Sequence, residues 1–301
     1  MRTIRAFVIF GLIVPIMMSA NAPRAAAQDA TQSWNSLAQP AFDPAKSATV
    51  ENVTLARDRI HITLSSGTIQ FTQPVNGMVF GAAFRGRGRA QVEPPNPIEA
   101  QQLNLFTGRA ALDMEFSEAV FTFSDNTLEE IAKQVRWSSA AGDSALSRLY
   151  ADRIREREDV GAEILSRLFV SLLSGDRKRT ALFAADLKTS DKGWIHVRFD
   201  ATNPEEISVG RWASWGPVTR FDTWTSFPAG NRPVAEAFRD PLARDAFRIR
   251  SYKIDATVTT GADLRAVTQV KFVPRGDGDR ALSFLLDANL RVESVKDPSG
   301  A

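Results

Sequence analysis

Apolar residues recur at every second position along much of this chain, and that periodicity restricts it to half-buried strands that must stack into layers. The clearest instance lies near the C-terminal end. Tyr252, Ile254, Ala256 and Val258 share one side of an extended segment, and Leu264, Ala266, Val270 and Phe272 continue the pattern after a turn. Two short runs follow, 280–286 and 289–295, beyond the turn Arg275-Gly276-Asp277-Gly278, and residues 296–301 read as a hairpin turn entering a further strand. Four strands with one apolar face bury that face only against a second layer. Segment 250–301 is therefore expected to be a truncated β-domain, the opening of an incomplete β-sandwich whose covering layer comes from beyond Ala301 or from a partner.

The N-terminal end predicts export. Arg2 and Arg5 precede a mostly apolar stretch from Ala6 to Ala20, and Ala25-Ala26-Ala27 offers a small-residue cleavage site, so 1–27 reads as a signal peptide. The apolar run falls short of the ~20 residues a spanning helix needs and contains Pro15, which favours a cleaved leader over an anchor and a periplasmic or secreted product. Of 37 basic groups, removal of Arg2, Arg5 and Arg24 leaves 34 against 35 acidic ones. That balance gives no strong field for nucleic acid. The absence of cysteine excludes disulfides, thiolate nucleophiles, thiolate metal sites and a lipoprotein anchor.

Between these ends, residues 28–50 form a lead-in with room for one short helix, and 51–227 a β-rich module interrupted by helices near 127–174. Arg59 to Leu64 and Thr68 to Phe71 read as a hairpin around Ser65-Ser66-Gly67, and Gly77–Phe84, Leu103–Phe106 and Ala119–Phe123 as further strands. Thr127 with Glu130 fits a capping box opening a helix to about Trp137. Leu146, Leu149, Tyr150 and Ile154, then Ile164, Leu165, Leu168, Phe169, Leu172 and Leu173, repeat at helical spacing up to Gly175. Strands resume at 180–187 and 194–199, joined by a turn over 189–193. The proline-interrupted stretch 228–249 is the expected linker. The fold class is α+β, mainly antiparallel β.

Candidate chemistry is sparse. His61 and His196 each sit between apolar residues that point the other way, so both are expected on the polar, exposed side of their strands. Neither lies on a helix, and a zinc site of the H-E-x-x-H kind needs two imidazoles one helical turn apart. The run Gly81 to Gly88 lacks the Lys and Ser/Thr of a phosphate loop and is followed by Pro94, Pro95 and Pro97. It reads as a structural turn with its arginines solvated or paired to carboxylates. No serine sits in a G-x-S-x-G elbow. The densest aromatic group is Trp212, Trp215, Phe221, Trp224 and Phe227. Core packing is the ordinary fate of such a group; stacking on a sugar or a peptide side chain is the other, which makes Trp212, Trp215 and Trp224 the candidate binding residues.

The series Tyr252-Lys253-Ile254-Asp255, Leu264-Arg265-Ala266, Val270-Lys271-Phe272, 280–286 and Leu290-Arg291-Val292 resembles the opening of the N-terminal β-domain of the zinc aminopeptidase family typified by alanyl aminopeptidase and leukotriene A hydrolase. Upstream, Leu55-Ala56-Arg57-Asp58, 67–71, Pro74-Val75-Asn76-Gly77 and Pro94-Pro95 look like an extra region carried by some exported bacterial members. The resemblance implies a position ahead of a thermolysin-like zinc peptidase domain. The family's G-x-M-E-N motif, H-E-x-x-H helix and downstream glutamate have no counterpart in these residues, so no catalytic or metal-binding residue is carried over and no cofactor is expected in this chain. The expected function is the non-catalytic N-terminal portion of an exported aminopeptidase-like metallopeptidase, with a catalytic domain supplied covalently or in trans as its partner. The alternative is a self-sufficient periplasmic or secreted module that binds a glycan or peptide.

Overall fold

A computed structural model describes residues 4–11, 22–138, 143–156, 158–215, 218–230, 247–261, 264–274, 280–281, 284 and 290–297. The chain is mainly antiparallel β, as its alternation predicts. Helix Ala22–Ala38 (α1) leads into a meander of strands Phe42–Arg57 (β2), Ile60–Thr72 (β3) and Gly81–Val92 (β4). Helix Pro97–Thr107 (α2) then precedes strand Leu112–Phe123 (β5). A mostly helical insertion follows: Thr127–Ala132 (α3), the short strand Arg136–Ser138 (β6), Ser144–Glu156 (α4) and Glu158–Leu172 (α5). The meander resumes with Leu182–Thr189 (β7), Gly193–Asp200 (β8), Ile207–Trp215 (β9) and Val218–Phe227 (β10). These nine strands make one antiparallel sheet in the order β10-β9-β8-β7-β5-β4-β3-β2-β6.

The sheet has two buried faces with different coverings. The inner face carries the main core, which runs from Val53 and Leu55 through Ile62, Phe84 and Phe121 to Val197 and Phe227. On the other face, Leu146 and Tyr150 of α4 pack on Ala83 and Val120, and α5 joins Leu37 of α1 over Phe80 and Leu182. Covering on both sides explains why β7 is buried at nearly every position, with an apolar run from Leu182 to Ala185 in place of alternation.

The expected hairpin at Ser65-Ser66-Gly67 is a single bent strand. In β3 the inward positions Ile60, Ile62 and Leu64 are out of phase with Ile69 and Phe71, and the register against β4 shifts between Leu64 and Ser66. Gly67 and Gly86 face each other at that bend. A Cβ on Gly67 would stand 2.3 Å from the Arg85 carbonyl oxygen and 2.7 Å from the Gly86 Cα. Two bare glycines let the backbones close up and the sheet coil. The true turn of the first hairpin lies at Asp58-Arg59, where Asp58 takes φ 52°.

Further departures have equally local causes. The arginine-glycine run is not a turn but part of β4, and Arg85 and Arg89 pair across to Glu118 and Asp113 on β5, as a charged strand face would. Leu103 to Phe106 is helical: the Asn96 side chain accepts from the Ile98 and Glu99 amides, Pro97 opens the first turn, and Gly108 at φ 75° closes the last. A helix does start at Thr127, but without the expected capping box: its N-cap is Asn126, and the Thr127 hydroxyl donates to Asp125 instead. Helix α3 ends at Ala132, and strand β6 at Arg136–Ser138 runs along the edge of β2. Strand β2 begins at Phe42, inside the expected lead-in, and the aromatic group of 212–227 falls on the strands β9 and β10.

A second, small sheet contains the hairpin of Phe247–Val258 (β11) and Leu264–Pro274 (β12). Ile4–Gly11 (β1), within the segment read as a leader, lies parallel between β12 and Leu290–Lys296 (β13). Positions 231–246, most of the expected linker, and most of 280–286 lie outside the described residues. Among the described residues, no helix is long and apolar enough to cross a membrane.

Candidate functional site

Three places in the fold gather polar chemistry: a buried group under α4, a second under α5, and a cleft where several strand ends meet. The first corrects the expectation for His196. His61 is exposed as expected, but His196 is only 2 % exposed, because the Trp212 and Phe221 rings of β9 and β10 pack against it and Asp186 meets it from β7. Its Nδ1 lies 3.0 Å from the carboxylate of Asp186, its register partner on β7. Arg153 of α4 approaches the same carboxylate at 3.6 Å and lies 4.4 Å over the Trp194 ring. Trp212 and Phe221 flank the imidazole.

The second group is a buried ion pair. Arg167 of α5 grips Asp200 at the end of β8 with donors at 2.8 and 3.1 Å, and the Thr202 hydroxyl and amide donate to the same carboxylate. Burial alone would raise the Asp200 pKa, but Arg167 and Thr202 more than offset it and hold the carboxyl below the ordinary aspartate value.

The candidate tryptophans do not form one surface. Trp224 faces the inner core, 2 % exposed and stacked on Phe106 of α2 at 6.1 Å with an 11° interplanar angle. Trp212 packs edge-on against Phe221 beside His196 on the opposite face. The side chain of Trp215 is outside the described residues. Neighbours along a strand point to opposite sides of a sheet, so density in sequence does not become density on a surface.

The cleft lies at the end of the sheet where β2, β5 and β8 finish and β7 begins, and it encloses about 590 Å³. Arg57 forms its base. This residue follows Val53 and Leu55 on the inward side of β2, and its guanidinium sits 5.1 Å over the ring of Phe183 on β7. In sheet order β2 and β7 are separated by three strands, so only a strongly curled sheet brings Arg57 to Phe183. Arg57 donates to Asp125 at 2.6 Å, to Glu130 at 2.8 Å, to the Thr127 hydroxyl at 3.0 Å and to the Ala56 carbonyl. Burial opposes the guanidinium's charge, yet the hydrogen bonds and attraction of Asp125 and Glu130 leave its pKa above the ordinary value.

Above this base the cleft is amphipathic. Met78, Val79, Leu128 and Phe199 supply apolar contact, the loop from α5 to β7 contributes Arg177 and Lys178, and α3 contributes Glu129. The Ser124 hydroxyl on the wall is already bound to Ser171 and the Thr180 carbonyl, and it accepts the Leu182 amide. The arrangement can hold a ligand by charge and apolar contact.

Sequence reasoning placed no weight on Arg57, Asp186 or Asp200. A signal was present for Asp186, the one carboxylate within the apolar run Ala181 to Leu187, where both strand faces had to be covered. For Arg57 the signal was its inward phase after Val53 and Leu55. Comparison with protein families, characterised proteins and solved structures finds no match.

Proposed function

We propose that this chain is the non-catalytic N-terminal portion of an exported aminopeptidase-like metallopeptidase, in which the nine-stranded sheet is a self-cored module and the β11–β12 hairpin is the platform for a covering layer. The observation that carries the reading is the exposed apolar side of β11. Tyr252, Ile254 and Val258 are 54 %, 63 % and 69 % exposed, even with β1 lying alongside β12. On β12, Val270 opposite Tyr252 and Phe272 opposite Ile249 are sheltered, the latter beside Phe247 and Phe284. An alternating strand whose apolar side faces water is under-covered, and contiguous exposed apolar surface marks an interaction site.

The resemblance of 250–301 to the family's opening strands supplies the identity of the cover: the rest of a sandwich, followed by a zinc peptidase domain. The proposed role of this chain in the reaction is to position that domain, with no reacting group of its own.

The test is enzymatic. Incubated with zinc, the purified chain is expected to leave aminoacyl-anilides intact, and the coding sequence after codon 301 to continue into strands and an H-E-x-x-H helix. Chelator-sensitive hydrolysis by the chain alone would overturn the proposal, as would an unrelated continuation. The tryptophans, divided between two faces, give the binding-module alternative little support; what remains of it is the cleft.

A further inference from the structure

The cleft carries charges that the fold itself does not neutralise. Arg57, Asp125, Glu130 and Thr127 satisfy one another at its base. Arg177 and Lys178 are exposed, and among the described residues neither has a carboxylate within ion-pair distance. Glu129, on the α3 side, likewise has no cation within that distance. Uncompensated cations and an uncompensated carboxylate therefore line one concavity without meeting.

The loop bearing the two cations is itself ordered. Asp176 Oδ1 accepts the Lys178 and Arg179 amides at 3.0 and 3.2 Å, and the Thr180 hydroxyl donates to the Asp176 carbonyl. Between the charged sides, Val79, Leu128 and Phe199 pack against the main core and present a fixed apolar surface. The volume, about 590 Å³, falls in the range of small-molecule sites.

We infer that this cleft binds a small zwitterion with an apolar body, of which a short peptide with free amino and carboxyl ends is the simplest. The carboxylate lies against Arg177 and Lys178, the ammonium against Glu129, and an apolar side chain against Leu128, Val79 and Phe199. A purely anionic ligand would meet Glu129 and a purely cationic one the two cations, so charge complementarity favours a molecule bearing both. The inference rests on the nine-stranded sheet alone and is independent of what covers the β11–β12 hairpin.

Calorimetric titration of the full chain with leucyl-leucine tests it. The dipeptide is expected to bind at millimolar concentration or below, and its N-acetyl and C-amide derivatives each about tenfold more weakly. Replacing both cations, R177A with K178A, abolishes the penalty for amidation. Glu129→Gln abolishes the penalty for acetylation. All three side chains border open solvent, so both variants keep the parent circular dichroism and melting temperature. Absence of binding at millimolar concentration overturns the assignment. So does binding that is indifferent to the blocked ends, or blocking penalties that survive the substitutions.

Discussion

Asp200 shows how much a single buried carboxylate can depend on one neighbour. It is 1 % exposed, and Arg167 is its charged partner. Replacing Arg167 by Met leaves the carboxylate buried without its cation, a loss expected to cost about 3 kcal/mol in chemical denaturation at neutral pH. Because the folded-state pKa of Asp200 is depressed, its contribution to stability is complete above the unfolded value near 3.8 and disappears as pH falls through the lower folded value. The acid limb of the parent's stability profile should therefore lie below pH 3.8 for this group, and in Arg167→Met it should move to higher pH. Arg57→Met makes a parallel case, stranding Asp125 and Glu130, and is expected to lower stability by about 2 to 3 kcal/mol. These groups were poorly legible in sequence, since period two assigns a residue to a side of its strand but says nothing of what lies over that side. His61 and His196 have the same flanking pattern, and only the aromatic rings and the carboxylate that gather around the second, Trp212, Phe221 and Asp186, separate an exposed imidazole from a buried one.

Elements were legible wherever one periodicity held without interruption, as in α4, α5, β8 and the β11–β12 hairpin. They were misread where the phase slips or a cap decides. Gly67 sits at φ 147° with the Arg85 carbonyl in the space a methyl would need, so Gly67→Ala forces the β3–β4 ladder apart. A loss of about 3 kcal/mol or more is expected in urea unfolding, against less than about 1 kcal/mol for Gly108→Asn at the end of α2, where no atom lies within 4 Å and Asn tolerates the left-handed region. Helix α2 was hidden because its stability comes from Asn96, Pro97 and Gly108 at its ends, with Leu103 its buried residue, so it shows little apolar periodicity. Strands β9 and β10 were hidden by polar residues such as Ser208, Arg211, Asp222 and Thr225, alternating with aromatics whose spacing suggested a patch. On the second sheet, Ile254→Lys replaces a side chain already in water and should change stability by less than about 0.5 kcal/mol, while reducing the fluorescence of bound anilinonaphthalene sulfonate.

At the scale of the whole molecule, two kinds of burial stand side by side. The nine-stranded sheet encloses a core from Ala48 to Phe227 and is covered by helices on its other face. The hairpin of β11 and β12 has exposed positions along nearly its whole first strand. The Arg280 amide, bonded to the Leu173 carbonyl at 2.9 Å, and Ala281, packed against the apolar cluster under α5, are points where the two regions touch. That Tyr252, Ile254 and Val258 share one side of an extended strand was readable from their alternation, and all three are exposed on β11. The curl that builds the cleft was not, because it depends on facing glycines in two strands and on an arginine reaching across the end of the sheet. The claim that the hairpin awaits a covering layer is tested most directly by amide hydrogen exchange on the purified chain. The account predicts that amides of β4, β5 and β7 exchange only through global unfolding, while those of β11 and β12 exchange orders of magnitude faster through local opening. Protection of β11 equal to that of β5 would mean that its apolar face is already covered, and would contradict the account.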